Sequence, residues 1–178
     1  MTTASPRRGL LSLDDWRALG EDTSQRYELV EGVLLMSPSP RLEHQDALTE
    51  LVVQLSAQRH PGFRITLDSD VILQAATPPT VRRPDLMLRR ADAKTPLTAA
   101  DVILAIEILS PGTRRMDLVM KRSEYADAGI EHYWIVDPDD HTMEALRLVD
   151  GAYVGDHVTG TFTTTTPFPL TIDLDALG

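Results

Sequence analysis

The chain has 178 residues, 42% hydrophobic and 25% charged, with no cysteine and a net charge of −10. That size and balance suit one globular domain with a sizeable core, and the missing cysteines exclude disulfides and thiolate metal sites. The acidic surplus argues against a nucleic-acid coat protein, whose affinity rests on neutralising phosphates, but leaves room for an enzyme with a local basic cleft.

The N-terminal MTTASPRRGL has no apolar stretch after its basic residues, and no apolar run approaches the roughly 20 residues that span a bilayer. A cytoplasmic protein without membrane contact is expected. Ser12 can cap a short helix, with Asp14 and Asp15 favoured in its first turn. RYELVEGVLLMSPSP reads as two strands about a Glu31-Gly32 turn. Leu48, Leu51, Val52 and Leu55 form one stripe of a helix over 41–59, which His60-Pro61-Gly62 stops. Strands are expected at 63–67, 70–74 and 81–89, a surface loop at 91–100, a strand at 101–109 and a helix at 114–128 ending at Gly129. EHYWIVD is a strand stopped by Pro138, and 142–149 with 152–158 form a hairpin across Asp150-Gly151. The threonine-rich 159–166 is an extended edge or a loop. Helices and strands mix along the chain without a repeat or a long linker, so residues 1–178 are expected to form one α/β domain around a mixed sheet.

One residue conflicts with its surroundings. DVILAIEILS reads as a strand apolar on both faces, as a central covered strand is, yet it contains Glu107. Alternation places Glu107 with Ile103, Ala105 and Leu109. An unpaired buried carboxylate costs several kcal/mol, so it needs a cation, a metal or a chemical task. The preceding strand holds a second acid, Asp85, directly after Pro84, and a proline marks a strand edge, start or bulge. If the two strands are neighbours, the carboxylates approach each other and repel unless a cation lies between them. Oxygen ligands of this kind suit magnesium or manganese. The plainer alternative is that Asp85 pairs with a nearby arginine.

On the helix that follows, Leu118, Lys121, Tyr125 and Ala128 share a face. Lys121 in that stripe either snorkels to water or reaches the carboxylates, and Asp117 stands at the spacing of an i,i+4 partner. His44 shares the inward side of its helix with Leu48 and Leu51, as a core histidine or a functional one. Glu28 alternates with Tyr27 and Leu29. Arginines cluster at Arg82, Arg83, Arg89 and Arg90 and again at Arg114, Arg115 and Arg122, as solvated surface or as phosphate contacts. Phosphate-loop, dinucleotide, nucleophile-elbow and zinc-helix motifs are missing from the sequence.

YELVEG (27–32), SPSPRLEHQ (37–45), RPDLML (83–88), IEILSPGTRRMDLVMKRSEYADAGIEHYWIVDP (106–138) and DGAY (150–153) together resemble the Uma2 family of the PD-(D/E)XK nuclease-like superfamily. The similarity runs over roughly residues 12–155. It implies a restriction-endonuclease-like core, a mixed sheet of about four strands flanked by helices. It implies metal-binding acids at Asp85 and Glu107, with Glu28 as a further ligand and His44 at a family position. The superfamily lysine two residues after the acid is Leu109 here; the family resemblance offers Lys121 in its place. The implied activity is Mg²⁺- or Mn²⁺-dependent hydrolysis of DNA phosphodiesters by a homodimer. The alternative is a non-catalytic nuclease-like module that binds DNA or a protein partner.

Overall fold

The structure is a computed structural model that describes residues 9–20, 26–37, 39–58, 60–110 and 116–178. Its centre is β8 (Val102–Ile108), buried at every position. β8 pairs antiparallel with β6 (Leu86–Arg90), which pairs antiparallel with β3 (Phe63–Leu67). On its other side β8 pairs parallel with β9 (His132–Asp137), followed by the antiparallel β10 (Thr142–Val149) and β11 (Ala152–Thr159). A second sheet holds β1 (Arg26–Val30), β2 (Val33–Ser37), β4 (Val71–Gln74), β5 (Thr80–Arg82) and β7 (Leu97–Thr98), in the order β2-β1-β5-β4-β7. The fold is a mixed α/β arrangement, with parallel and antiparallel pairs in both sheets.

Both expected turn dipeptides form hairpins. Glu31-Gly32 have φ of 47° and 76°, and Asp150-Gly151 have φ of 50° and 81°. Two consecutive positive φ values give the turn whose twist matches the flanking strands, and glycine takes the second position at no steric cost. Ser12 caps α1 (Leu13–Ala18) through the backbone N–H of Asp15, whose carboxylate accepts in return from Ser12 N. α2 (Leu42–Ala57) occupies the expected segment and turns His44, Ala47, Leu51 and Leu55 inward.

The structure departs from expectation at three places. The strand expected over 81–89 is two strands in two different sheets, β5 and β6, separated by Arg83-Pro84-Asp85. Pro84 lacks the N–H that a continuous ladder needs, so the chain leaves one sheet and enters the other there. The helix expected over 114–128 has a π-helical turn at Met116–Lys121, and only Arg122–Asp127 (α3) is regular α-helix. Its first expected residues, 114 and 115, lie outside the described residues. The loop at 91–100 contains the short β7 and a 3₁₀ turn at Ala99–Asp101. The threonine-rich stretch takes the extended form of its two expected readings, as β12 (Thr161–Thr164), which pairs with β13 (Leu170–Asp173).

β8 divides the core. Leu104, Ile106 and Ile108 face α2 residues Ala47, Leu51 and Leu55 and the C-terminal Leu170, Ile172, Leu174 and Leu177. Ala105 and Leu109 face Tyr125 of α3, Ile130, Tyr133 and, from the smaller sheet, Val71 and Leu97. Among the described residues no helix is long and apolar enough to cross a membrane.

Candidate active site

The change of sheet at Pro84 brings polar groups from both sheets to one place. Leu86 is registered against Ile106, so Asp85, one residue before β6, stands at the strand end beside Glu107. Asp85 Oδ2 accepts the backbone N–H of Ile108 at 2.9 Å and lies 3.1 Å from His44 Nε2. Its Oδ1 accepts Arg26 Nη1 at 2.9 Å. Burial opposes ionisation of Asp85, but the hydrogen bond and charge of His44, with Lys121 and Arg26, outweigh it and hold the carboxyl well below the usual range. Asp85 is therefore a carboxylate at any pH near neutrality.

Glu107 is almost fully buried. Its Oε2 lies 2.8 Å from Lys121 Nζ, and its Oε1 accepts the Tyr125 hydroxyl at 2.8 Å. The face predicted for Glu107 is the one observed, since its neighbours Ala105 and Leu109 pack with Tyr125. Burial and the charge of Glu107 push the Tyr125 hydroxyl upward in pKa, which keeps it a donor. Of the two outcomes open to Lys121, the structure takes the inward one, with its side chain only 7% exposed. The π-helical turn ends at Lys121, and such turns recur at functional sites because they re-aim one side chain. Leu109, where the superfamily lysine would stand, is packed into the apolar cluster instead.

Glu28 joins from β1. Its Oε1 accepts the backbone N–H of Arg83 at 2.9 Å and lies 3.7 Å from Lys121 Nζ, and its Oε2 accepts Arg82 Nη1 at 3.0 Å. Burial raises the pKa of Glu28, but Lys121 and Arg82 more than reverse that. Arg82 also grips Glu124 of α3 in a fork, Nε to Oε2 at 2.5 Å and Nη2 to Oε1 at 2.8 Å. This bidentate geometry is the strong form of the arginine–carboxylate pair. It ties the helix that carries Lys121 to the strand that faces Glu28.

Asp85, Glu107, Lys121, Glu28 and His44 thus belong to one connected network. Asp117 stands in the π-helical turn, but its side chain lies outside the described residues. One residue contradicts the reading of the arginines as surface. Arg82 is fully buried, and its charge is spent on Glu28 and Glu124 rather than on solvent or phosphate. Arg89 is held by Thr66 Oγ1. Arg83 and Arg90 remain accessible, while Arg114 and Arg115 lie outside the described residues. The arginine expected near Asp85 is present, but it is Arg26, 59 residues away in sequence.

The pairing of Arg26 with Asp85 and of Arg82 with Glu28 and Glu124 has no signal in the sequence, because long-range ion pairs leave no local pattern. Tyr125 had a signal, since it sits four residues after Lys121 on the same face. The acids offer hard oxygen ligands suited to Mg²⁺ or Mn²⁺. Among the described residues, no three His, Asp or Glu side chains converge as a metal cage. Two carboxylates completed by water and substrate oxygens are nevertheless a common arrangement for Mg²⁺. Asp85 and Glu107, from neighbouring strands, offer the oxygen donors of such an arrangement, and Glu28 is held by Arg82 and the Arg83 N–H on the other side of Lys121.

The sequence from residue 12 to 176 matches the family model Uma2, described as "putative restriction endonuclease". The chain belongs to the Uma2 family. A crystal structure described as a "putative nuclease belonging to DUF820" from Anabaena variabilis ATCC 29413 superposes on this Uma2 chain with a TM-score of 0.74 at 19% identity. The match covers 94% of this chain and 97% of that one, so the two share a fold along nearly their whole lengths. No curated protein matches the chain.

Proposed function

We propose that this Uma2 chain is a divalent-metal-dependent DNA endonuclease. The observation that carries the reading is that two acids from neighbouring strands, Asp85 and Glu107, stand at one strand end with a buried lysine on Glu107. Family membership supports the reaction class. Asp85 and Glu107 would hold Mg²⁺ or Mn²⁺, which when bound lowers the pKa of water and polarises a phosphate.

The side chains account for the rest. Tyr125 and Lys121 each bind one oxygen of Glu107 and so fix the carboxylate plane. Ile108 N–H and His44 fix Asp85 through Oδ2. Lys121 donates to the attacking water or to a non-bridging phosphate oxygen and stabilises the charge that develops there. Water adds to phosphorus, the bond to the leaving oxygen breaks, and a proton reaches that oxygen. Glu28, expected as a metal ligand, serves in this reading to hold Lys121 and Arg82 in place.

A second reading, a non-catalytic module that binds DNA or a protein, has its own support. Each oxygen of Asp85 and Glu107 already has an internal donor, and the chain carries a net charge of −10. Supercoiled plasmid incubated with the protein and Mg²⁺ or Mn²⁺ separates the two. The enzyme nicks or linearises the plasmid, stops in EDTA, and loses activity in Asp85→Asn and Glu107→Gln. Lys121→Met slows it about 10²–10³-fold, the scale for losing one transition-state donor. Retained cleavage by all three variants sinks the assignment. An inert wild type that still shifts the plasmid on a gel moves it to the second reading.

A further inference from the structure

The two oxygens of Asp85 are not equivalent. Oδ2 is satisfied twice, by the Ile108 N–H and by His44, both buried in the protein. Oδ1 has one partner among the described residues, Arg26 Nη1 at 2.9 Å. A dication that binds Asp85 at Oδ1 meets a guanidinium there, and two cations at that separation repel strongly where the dielectric constant is low.

Arg26 differs from the other cations of the network. The side chains of Lys121 and His44 are 7% and 8% exposed, whereas that of Arg26 is 22% exposed. It also has a second carboxylate partner. Its Nε lies 2.7 Å from Asp68 Oδ1, and Asp68 is about half exposed. Its Nη2 donates to the carbonyl of Arg83 at 3.1 Å. Released from Asp85, the guanidinium stays tethered through Nε to Asp68, at the solvent side of the acid pair. A planar, permanently charged group held there is suited to a phosphate oxygen.

We propose that Arg26 is an exchangeable cation of this site, which neutralises Asp85 Oδ1 in the metal-free protein and, once a divalent ion takes that oxygen, turns on its Asp68 anchor to bind a phosphate of the substrate strand. The inference rests on the metal-dependent reading above and adds a substrate-binding residue to it. It makes two predictions of opposite sign for one substitution, which a merely structural role does not.

The test titrates Mn²⁺ calorimetrically into wild type, Arg26→Met and Asp85→Asn without DNA. It then measures binding of a fluorescent 20-base-pair duplex by anisotropy in Ca²⁺, before any cleavage is scored. Arg26→Met is expected to bind Mn²⁺ about tenfold more tightly and the duplex about tenfold more weakly than wild type. Arg26→Gln, which keeps a hydrogen bond toward Asp68, carries the same test if the methionine variant does not fold. If wild type binds Mn²⁺, Asp85→Asn does not, and the Arg26 variants match or fall below wild type, this proposal is overturned while the metal site stands. Tighter Mn²⁺ binding with unchanged duplex affinity overturns the phosphate role. If no protein binds Mn²⁺, the metal-dependent reading falls and this inference with it.

Discussion

Tyr125 and Glu107 show how a carboxylate survives in a dry strand. The Tyr125 hydroxyl donates to Oε1 at 2.8 Å while its ring packs edge-on against Tyr133, with centroids 5.0 Å apart. Tyr125→Phe keeps that packing and removes one hydrogen bond to a charged group. Such bonds contribute about 1.5–3 kcal/mol, so urea denaturation of the variant should show a loss in that range. A loss below about 0.5 kcal/mol, the range of an ordinary surface change, would mean that Glu107 does not depend on this donor. The anomaly of Glu107 was legible because a charged residue in a doubly apolar strand breaks a rule of local consistency. Helical spacing placed Lys121 and His44 on apolar stripes, but it left open whether the lysine snorkels to water or reaches the acids. The burial of Arg82 was not legible, because a buried arginine and a solvated one look alike until its carboxylate partners, 54 and 42 residues away, are folded against it.

At the scale of elements, the turns and strands were readable where a local residue dictates them, as at Glu31-Gly32, Asp150-Gly151 and β8. The sheet exchange at Pro84 was not, since a proline announces an interruption without saying where the chain goes next. β13 was missed altogether, and its attachment shows why. Gln54 on α2 and Gln58, the residue that caps its C-terminus, act as a substitute strand. Gln58 accepts from Thr171 N at 2.7 Å and donates to Thr171 O at 2.6 Å. Gln54 does the same with Asp173, at 2.8 and 3.0 Å. Each side-chain amide presents the donor and acceptor of a peptide group, so the outer edge of β13 finds partners without a further strand. Replacing both glutamines by alanine removes four hydrogen bonds at a partly exposed site. The expected cost is about 1–3 kcal/mol, and the sharper readout is local: the amides of Thr171 and Asp173 should lose their protection from hydrogen exchange. Unchanged protection at both amides would show that packing of Leu170 and Ile172, rather than the glutamines, holds the strand.

For the whole molecule, the buried titratable groups set how the fold responds to acid. Asp85 and Glu28 have pKa values lowered in the folded state. A carboxylate of that kind contributes stability that is complete above its unfolded pKa, near 4, and is lost as pH falls toward the folded value. His132, on β9, is shifted down as well. Burial is the first cause, and the nearby Arg147 adds to it against Glu131. Among the described residues its Nε2 has no hydrogen-bond partner, and Glu131 at 3.5 Å does not meet the geometry of one. A histidine held neutral follows the same sign: its contribution is full above the unfolded pKa, near 6.5, and declines below it as the unfolded chain takes up a proton the folded one resists. The net charge of −10 works in the opposite direction, because mild acid relieves repulsion among the surface carboxylates. The comparison that isolates His132 is therefore between proteins rather than between pH values. His132→Gln should become more stable relative to wild type as pH falls from 7.5 to 5, by urea midpoint at constant m. Both proteins should then lose stability together below about pH 4, where Asp85 and Glu28 begin to protonate in the unfolded chain. A wild-type-to-variant difference that stays flat from pH 7.5 to 5 would show that His132 takes up its proton as readily folded as unfolded.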